Sequence, residues 1–179
     1  LIDAKIDTGG ILLQERITLS SDETAGTLHD KLMELGSSLV VKKLKGLANG
    51  DLEPQTQNES TTLKNAPKIF RDDCNIDWNK SGKEIEAFIR GLSPYPAAFT
   101  TIEGEEINGD VKITKAKFYT GEASVGDAHM RIEGKTLVVQ LADGKLQVEH
   151  LQPQGKRAMS AADFINGIRD KQQLFAIKG

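Results

Sequence analysis

In 179 positions the chain has one cysteine, one tryptophan, five prolines and only 5% aromatic residues. A single thiol, Cys74, excludes an internal disulfide and any multi-cysteine zinc site, and it fits a reducing cytosol. So few prolines, beside 38% hydrophobic and 27% charged residues, exclude collagen, a disordered tail and a disulfide-stapled miniprotein. No apolar run reaches the roughly 18 residues of a membrane helix, so no helical span is expected. Methionine is missing from the start, where Leu1 stands, and no basic segment with an apolar stretch follows it. The chain is expected to be a processed product or a piece of something longer.

Charge of one sign is also scarce. The net charge is −3, from 23 basic and 26 acidic residues. Residues 1–73 carry nine Lys/Arg against twelve Asp/Glu, whereas residues 74–179 carry fourteen of each. A neutral second part cannot coat nucleic acid as a polycation, so any such binding must come from local basic patches.

Several reaction chemistries lack their residues. His29, His129 and His150 never fall at the i, i+2 or i, i+4 spacing of a metal pair, so no metal is expected, and His29 reads as a surface residue. Gly134-Lys135-Thr136 imitates the end of a phosphate-binding loop. That loop needs a glycine where His129 stands, so the segment reads as a turn. There is no Gly-x-Ser-x-Gly elbow, and Cys74 has no histidine near it in sequence. Trp78 reads as a packing anchor whose indole N–H meets a carbonyl.

What is present falls into three stretches. Ile11-Leu12-Leu13 and Ile17-Thr18-Leu19 read as strands, after a turn at Gly9-Gly10. Leu28, Leu32, Leu35 and Leu39 then line one helical face, with Gly36 dividing the helix and Asn49-Gly50 capping its end. From Gly50 to about Asp73 the chain turns polar and loses its period, as a connector does.

Beyond the connector, Ser81 and Glu84 have capping-box spacing ahead of a short helix with Ile85, Phe88, Ile89 and Leu92 on one face; Pro94 and Pro96 prevent its continuation. Five strands are expected near Phe99–Ile102, Val111–Phe118, His129–Ile132, Thr136–Leu141 and Leu146–Leu151. Turns at Gly104, Asn108-Gly109, Gly121, Gly134 and Asp143-Gly144 separate them. Such strands suggest an OB-like antiparallel barrel. Ser160 starts a last helix carrying Phe164, Ile165 and Ile168. Asp7, between an apolar residue and glycines, should project its carboxylate from a tight turn, though an aspartate there often only bonds its own turn.

Taken in order, these segments resemble one family, the methionyl-tRNA formyltransferases, along essentially the whole chain. The resemblance is carried by Ile6-Asp7-Thr8-Gly9-Gly10-Ile11-Leu12-Leu13, by Thr24-Ala25-Gly26-Thr27-Leu28 with Lys31-Leu32, and by Ala66-Pro67-Lys68-Ile69. It continues in Ile76-Asp77-Trp78, Arg90-Gly91-Leu92-Ser93-Pro94-Tyr95-Pro96, Gln154-Gly155-Lys156-Arg157-Ala158-Met159-Ser160 and Phe164-Ile165-Asn166-Gly167. Gly10 stands where many members carry a second aspartate, and Tyr95 where many carry tryptophan. The family's Rossmann-like first half, with its catalytic asparagine and histidine, has no counterpart here.

The resemblance implies an α+β chain: a remnant of an α/β Rossmann-like formyltransferase domain (strands plus helix, 1–49), a linker (50–73), and an OB-like antiparallel β-barrel domain with flanking helices (74–179). It implies formyl transfer from 10-formyltetrahydrofolate, a co-substrate, to the amino group of initiator Met-tRNA in translation initiation. Asp7 matches the family's catalytic aspartate, and Asp3, Ala4, Lys5 and Ile6 match the loop that contacts the pterin. Lys68, Arg71, Lys156 and Arg157 are the candidates for tRNA binding. The chain alone, without the asparagine and histidine, is expected to be inactive; a cytoplasmic monomer without membrane association is expected. Two alternatives stand beside this reading: part of an amino-sugar formyltransferase, and a stand-alone nucleic-acid-binding barrel. The 5% aromatic content argues against the last, because single-strand binders usually offer stacking platforms.

Overall fold

The structure is a computed structural model and describes residues 3–57, 64, 66–121, 129–172 and 174–178. It divides into two compact units, residues 1–23 with 27–68 and residues 24–26 with 69–179.

The main element of the first unit is helix α1 (Ala25–Asn49). It runs unbroken through Gly36, contrary to the expected division. One glycine costs a helix interior only about 1 kcal/mol, which weakens a 25-residue helix without dividing it. The end behaves as expected. Gly50 takes φ +76°, its N–H donates to the Leu47 carbonyl at 3.2 Å, and the Asp51 N–H donates to the Gly46 carbonyl at 2.9 Å. Those two bonds satisfy carbonyls that the last turn would otherwise leave open.

Just ahead of α1, the Glu23 carboxylate accepts from Lys31 Nζ at 2.5 Å, Thr27 Oγ1 at 2.5 Å and Ser20 Oγ at 3.2 Å. The Lys31 ammonium, then the Thr27 hydroxyl, hold its pKa at about 2. The strands expected over 11–13 and 17–19 do not form. Among the described residues of this unit the only pairing is one bridge, in which Ile11 and Gln55 exchange N–H···O=C bonds of 2.9 Å each. A strand is stabilised by a neighbour along its length, and here the neighbour is one residue long.

The second unit holds a 3₁₀ turn (Asp72–Cys74), α2 (Gly82–Leu92), β1 (Ala98–Glu103), β2 (Asn108–Thr120), β3 (His129–Glu133), β4 (Thr136–Leu141), β5 (Gly144–Pro153), β6 (Met159–Ser160), α3 (Ala161–Asn166) and β7 (Leu174–Lys178). The strands follow the order β2-β1-β7-β3-β4-β5-β6 and pair antiparallel, and β2 also pairs with β5. That last pairing closes six strands into a barrel and leaves β6 as a two-residue addition to β5.

The five expected strands are all present. The sixth, β7, was not expected and fits between β1 and β3. A second difference lies at Asn108-Gly109, which belongs to β2 rather than to the turn before it. The turn is 104–107, where the Gly104 N–H donates to Asn108 Oδ1 at 3.0 Å.

The alternating inward residues of the strands fill the barrel, with Ile102, Val111, Ile113, Met130, Leu137, Val139, Leu146 and Leu151 fully buried. Helix α2 adds Ile85, Ile89 and Leu92 to this core. Its capping box forms as expected, Ser81 and Glu84 each satisfying the other's backbone N–H. Asp143, in the β4–β5 turn, accepts the Gly82 N–H on both carboxylate oxygens, at 3.1 and 3.0 Å. Glu86 accepts the Phe118 N–H at 2.9 Å just past a bulge at Lys115 in the β2–β5 ladder.

Trp78 is partly buried against the core, and its indole N–H donates to Thr100 Oγ1 at 3.0 Å, a hydroxyl rather than the expected carbonyl. Thr100, fully buried, donates its own hydroxyl hydrogen bond to the Lys178 carbonyl at 2.8 Å. That relay ties the segment before α2 to β1 and β7. The turn after α3 is held by Glu106, which accepts the N–H groups of Arg169 (3.0 Å) and Asp170 (2.9 Å), while the Lys171 ammonium bonds the Ile165 and Ile168 carbonyls. No helix among the described residues is long and apolar enough to cross a membrane.

Two expectations follow for stability. A Cβ on Gly82 would lie 2.0 Å from the Phe118 ring. Gly82→Ala should therefore overpack the seat of α2 and lower stability by about 1–3 kcal/mol, read as a lower urea midpoint. Glu23 concerns acid. Its carboxyl ionises at about 2 in the fold against 4.5 for the ordinary group, so its stabilisation is complete above about pH 4.5 and fades as pH falls towards 2. Wild type and Glu23→Gln should differ in helix content by circular dichroism at neutral pH and converge in that acid window. A difference that persists unchanged at pH 2 would contradict the assignment.

Candidate functional site

Among the described residues two places stand out, one a polar loop and the other a cavity with exposed aromatic groups. The first is the loop Asp3–Gly9, in the first unit. Asp3 Oδ1 accepts the Ala4 N–H at 2.7 Å, and Thr8 Oγ1 donates to the Lys5 carbonyl at 3.1 Å, so the loop is shaped by its own side chains. Gln57 holds its far end, Nε2 donating to the carbonyls of Asp7 at 2.9 Å and Gly9 at 2.7 Å. Asp7 itself sits at φ +60°, a left-handed conformation that aspartate tolerates better than most residues. Its carboxylate accepts no hydrogen bond from the described residues. It is exposed, as are Asp3, Ala4, Lys5 and Ile6. The simple reading of Asp7 as a residue bonding its own turn is thus not what the loop does.

Gly10 has a local reason too. A Cβ there would lie 2.8 Å from Pro54 Cβ, so Pro54 occupies the space a second aspartate would need.

The second place is a cavity of about 470 Å³ on the second unit, lined by residues from the start of that unit, from the stretch after α2, from β1, β2 and the end of β5. Arg71 is one of its lining residues. The guanidinium lies over the Phe99 ring, 4.7 Å from the centroid, and pairs with Asp110 Oδ2. Thr101 Oγ1 donates to the other oxygen, Oδ1, at 2.8 Å. Phe70 and Tyr95 line the same cavity and are well exposed. Cys74 also borders it but is buried, its Sγ 3.4 Å from the Phe70 carbonyl, and burial raises its pKa. A thiol in that state is a poor nucleophile.

The turn after β5 is built against this cavity. Gln154 N–H donates to the Asp110 carbonyl at 2.9 Å, Lys156 N–H to Pro153 at 3.0 Å, and Gln152 Nε2 to the Lys156 carbonyl at 2.9 Å. Lys156 and Arg157 therefore leave a pinned backbone, and their side chains are exposed without an ion pair among the described residues. Of the four expected basic residues, Arg71, Lys156 and Arg157 belong to the second unit and Lys68 to the first. Arg71 is already paired and stacked, whereas Lys156 and Arg157 are not.

The segment 68–169 matches the family described as formyl transferase, C-terminal domain. This chain belongs to the formyl transferase family. The match takes in all the residues lining the aromatic cavity and the Lys156-Arg157 turn. Methionyl-tRNA formyltransferases of Flavobacterium johnsoniae, Phocaeicola vulgatus and Pseudomonas entomophila are similar to it at 41, 40 and 35% identity, over 93, 92 and 95% of the chain. The chain spans 53% of the length of each, about half.

Among solved structures, HypX of Aquifex aeolicus in complex with tetrahydrofolic acid is similar with a TM-score of 0.64 at 15% identity, over 91% of this chain and 28% of that one. An N-formyltransferase of Helicobacter canadensis, in complex with folinic acid and dTDP-3-aminofucose, is similar at 0.56 and 24%, over 82% of this chain and 52% of that one. At such identities they establish the fold. Among the described residues of this formyl transferase chain, no group of three or more His, Cys, Asp or Glu side chains could hold a metal ion.

The cavity was not visible in the sequence analysis. Phe70, Tyr95 and Phe99 are spread over thirty positions without period, and only β1, β2 and the β5 turn bring them together. A count of aromatics by segment was the available signal.

Proposed function

We propose that this chain is the second half of a methionyl-tRNA formyltransferase, which transfers the formyl group of 10-formyltetrahydrofolate to the amino group of initiator Met-tRNA. The observation that carries the reading is identity of 35–41% to enzymes of that name over more than nine-tenths of the chain. Residues 1–49 would close the catalytic domain, 50–73 would link, and 74–179 would form the barrel domain. The same reading takes the enzyme as a cytoplasmic monomer.

In this reading the chain contributes one reacting-centre group and a binding surface. Asp7 orients the family's histidine and helps to move a proton from the attacking amine through water. Its exposed carboxylate and the fixed left-handed backbone beneath it suit a group that must reach a partner outside its own loop. Asp3, Ala4, Lys5 and Ile6 offer the backbone groups that meet the pterin of the folate. The oxyanion formed as nitrogen attacks the formyl carbon needs donors that none of these residues supplies. Lys68, Arg71, Lys156 and Arg157 hold tRNA through local contacts, because a barrel region with equal numbers of acidic and basic residues has no diffuse field to offer.

The test is made in the complete enzyme. Asp7→Asn should leave folding and folate binding intact and lower turnover steeply, on the order of 10⁴-fold by analogy with the orienting aspartate of catalytic triads. Formylation is measured on initiator Met-tRNA and on a dTDP-amino sugar. Turnover of the sugar alone would replace this reading with the amino-sugar enzyme. The 179-residue chain by itself is expected to formylate neither acceptor.

A further inference from the structure

The scarcity of aromatic residues makes their distribution informative. The chain has nine, six Phe, two Tyr and one Trp. Three of them, Phe70, Tyr95 and Phe99, line the one 470 Å³ cavity. Tyr95 is 82% exposed and Phe70 62%, so neither serves mainly to fill the core. Arg71 is prepared in the same way. Asp110 and the Phe99 ring fix its guanidinium, yet the side chain remains 70% exposed. A guanidinium that is already paired is a poor clamp for a phosphate. A guanidinium plane held still beside exposed aromatic rings is instead one of the two surfaces on which unpaired bases stack.

The remaining lining fits the same ligand. Lys112, Gln152 and Gln154 bring a positive charge and amide groups, which an apolar peptide side chain would leave unsatisfied and a nucleobase can use. The volume lies within the range of small-ligand sites. The turn that carries Lys156 and Arg157 forms one wall, through Pro153, Gln154 and Gly155, so phosphate-binding groups start where the cavity ends.

We propose that this cavity receives one unpaired nucleobase of the RNA partner, stacked against Arg71 and Tyr95, with Lys156 and Arg157 on the adjoining phosphates. The proposal rests on the tRNA reading above and deepens it. Arg71 becomes a reader of unstacked bases, and RNA with a single-stranded segment is preferred to plain duplex.

The experiment uses the 179-residue chain and two RNA hairpins with equal numbers of phosphates, one blunt and one with a 3′ overhang containing 2-aminopurine. The overhang hairpin should bind more tightly, with quenching of the 2-aminopurine fluorescence. Tyr95→Ala should weaken overhang binding by about five- to 150-fold, the range of a lost base–aromatic stack, and leave the blunt hairpin unaffected. Tyr95→Phe should retain binding and quenching. Far-UV circular dichroism checks that the exposed position leaves the fold intact. Lys156→Ala with Arg157→Ala should weaken both hairpins alike and flatten their salt dependence. If Tyr95→Ala binds the overhang hairpin normally, or weakens both hairpins equally, the cavity is no base receptor, while an effect of the double variant leaves the tRNA reading standing. If neither hairpin binds the unmodified chain, both ideas fall together.

Discussion

Closure of the barrel is the constraint on which the second unit depends. Strand β2 pairs with β1 on one side and with β5 on the other, and β7 fills the gap between β1 and β3. A closed sheet has no open edge, so its backbone groups are satisfied without help from solvent. Closure also brings residues from the start and end of the unit onto one wall. Arg71 precedes the barrel, Asp110 lies on β2, and Gln154 follows β5; they meet because β2 is shared by both neighbouring ladders.

Carboxylates perform the local fixing. Asp110 receives Arg71 and Thr101 while its backbone carbonyl receives Gln154. Asp143 holds the first turn of α2, Glu86 fixes that helix to the strand beyond the bulge, and Glu106 receives the backbone of 169–170. An ionised carboxylate accepting backbone N–H groups makes a stronger bond than two neutral groups would. The Glu106 carboxyl is held below its usual range by the Asp170 and Arg169 amides. Among the described residues these carboxylates are taken up by internal donors, whereas Lys156 and Arg157 stand side by side, exposed and without an ion pair.

The first unit is held differently. No residue of α1 is buried, and Leu32, Met33, Val40, Val41, Leu44 and Leu47 are exposed along it. Its order comes from the ends, Glu23 at the start and the Gly50 turn at the finish, and from the bridge between Ile11 and Gln55. Gln57 then fixes Asp7 and Gly9 from a position some fifty residues away. Such a clamp has no sequence signature, since a glutamine in a polar connector is ordinary.

Local features were legible in the sequence because their causes are local. The capping box of Ser81 and Glu84, the Gly50 cap, the turn at Gly134-Lys135 and the five alternating strands each arise from residues within a few positions of one another. The family was legible as well, from short segments in a fixed order. The tertiary structure alone decided the rest. Leu174–Lys178 is a short, unremarkable run that becomes β7 only because the gap between β1 and β3 has unsatisfied backbone on both sides. Ile11–Leu13 and Ile17–Leu19 have strand composition but no extended neighbour, and remain irregular. Asn108-Gly109 looks like a turn but is drawn into β2 by its pairing with Ile102 and Glu103. The gathering of Phe70, Arg71, Tyr95 and Phe99 has the same origin: period and composition describe each residue among its neighbours in the chain, whereas a cavity wall is set by which strands lie side by side.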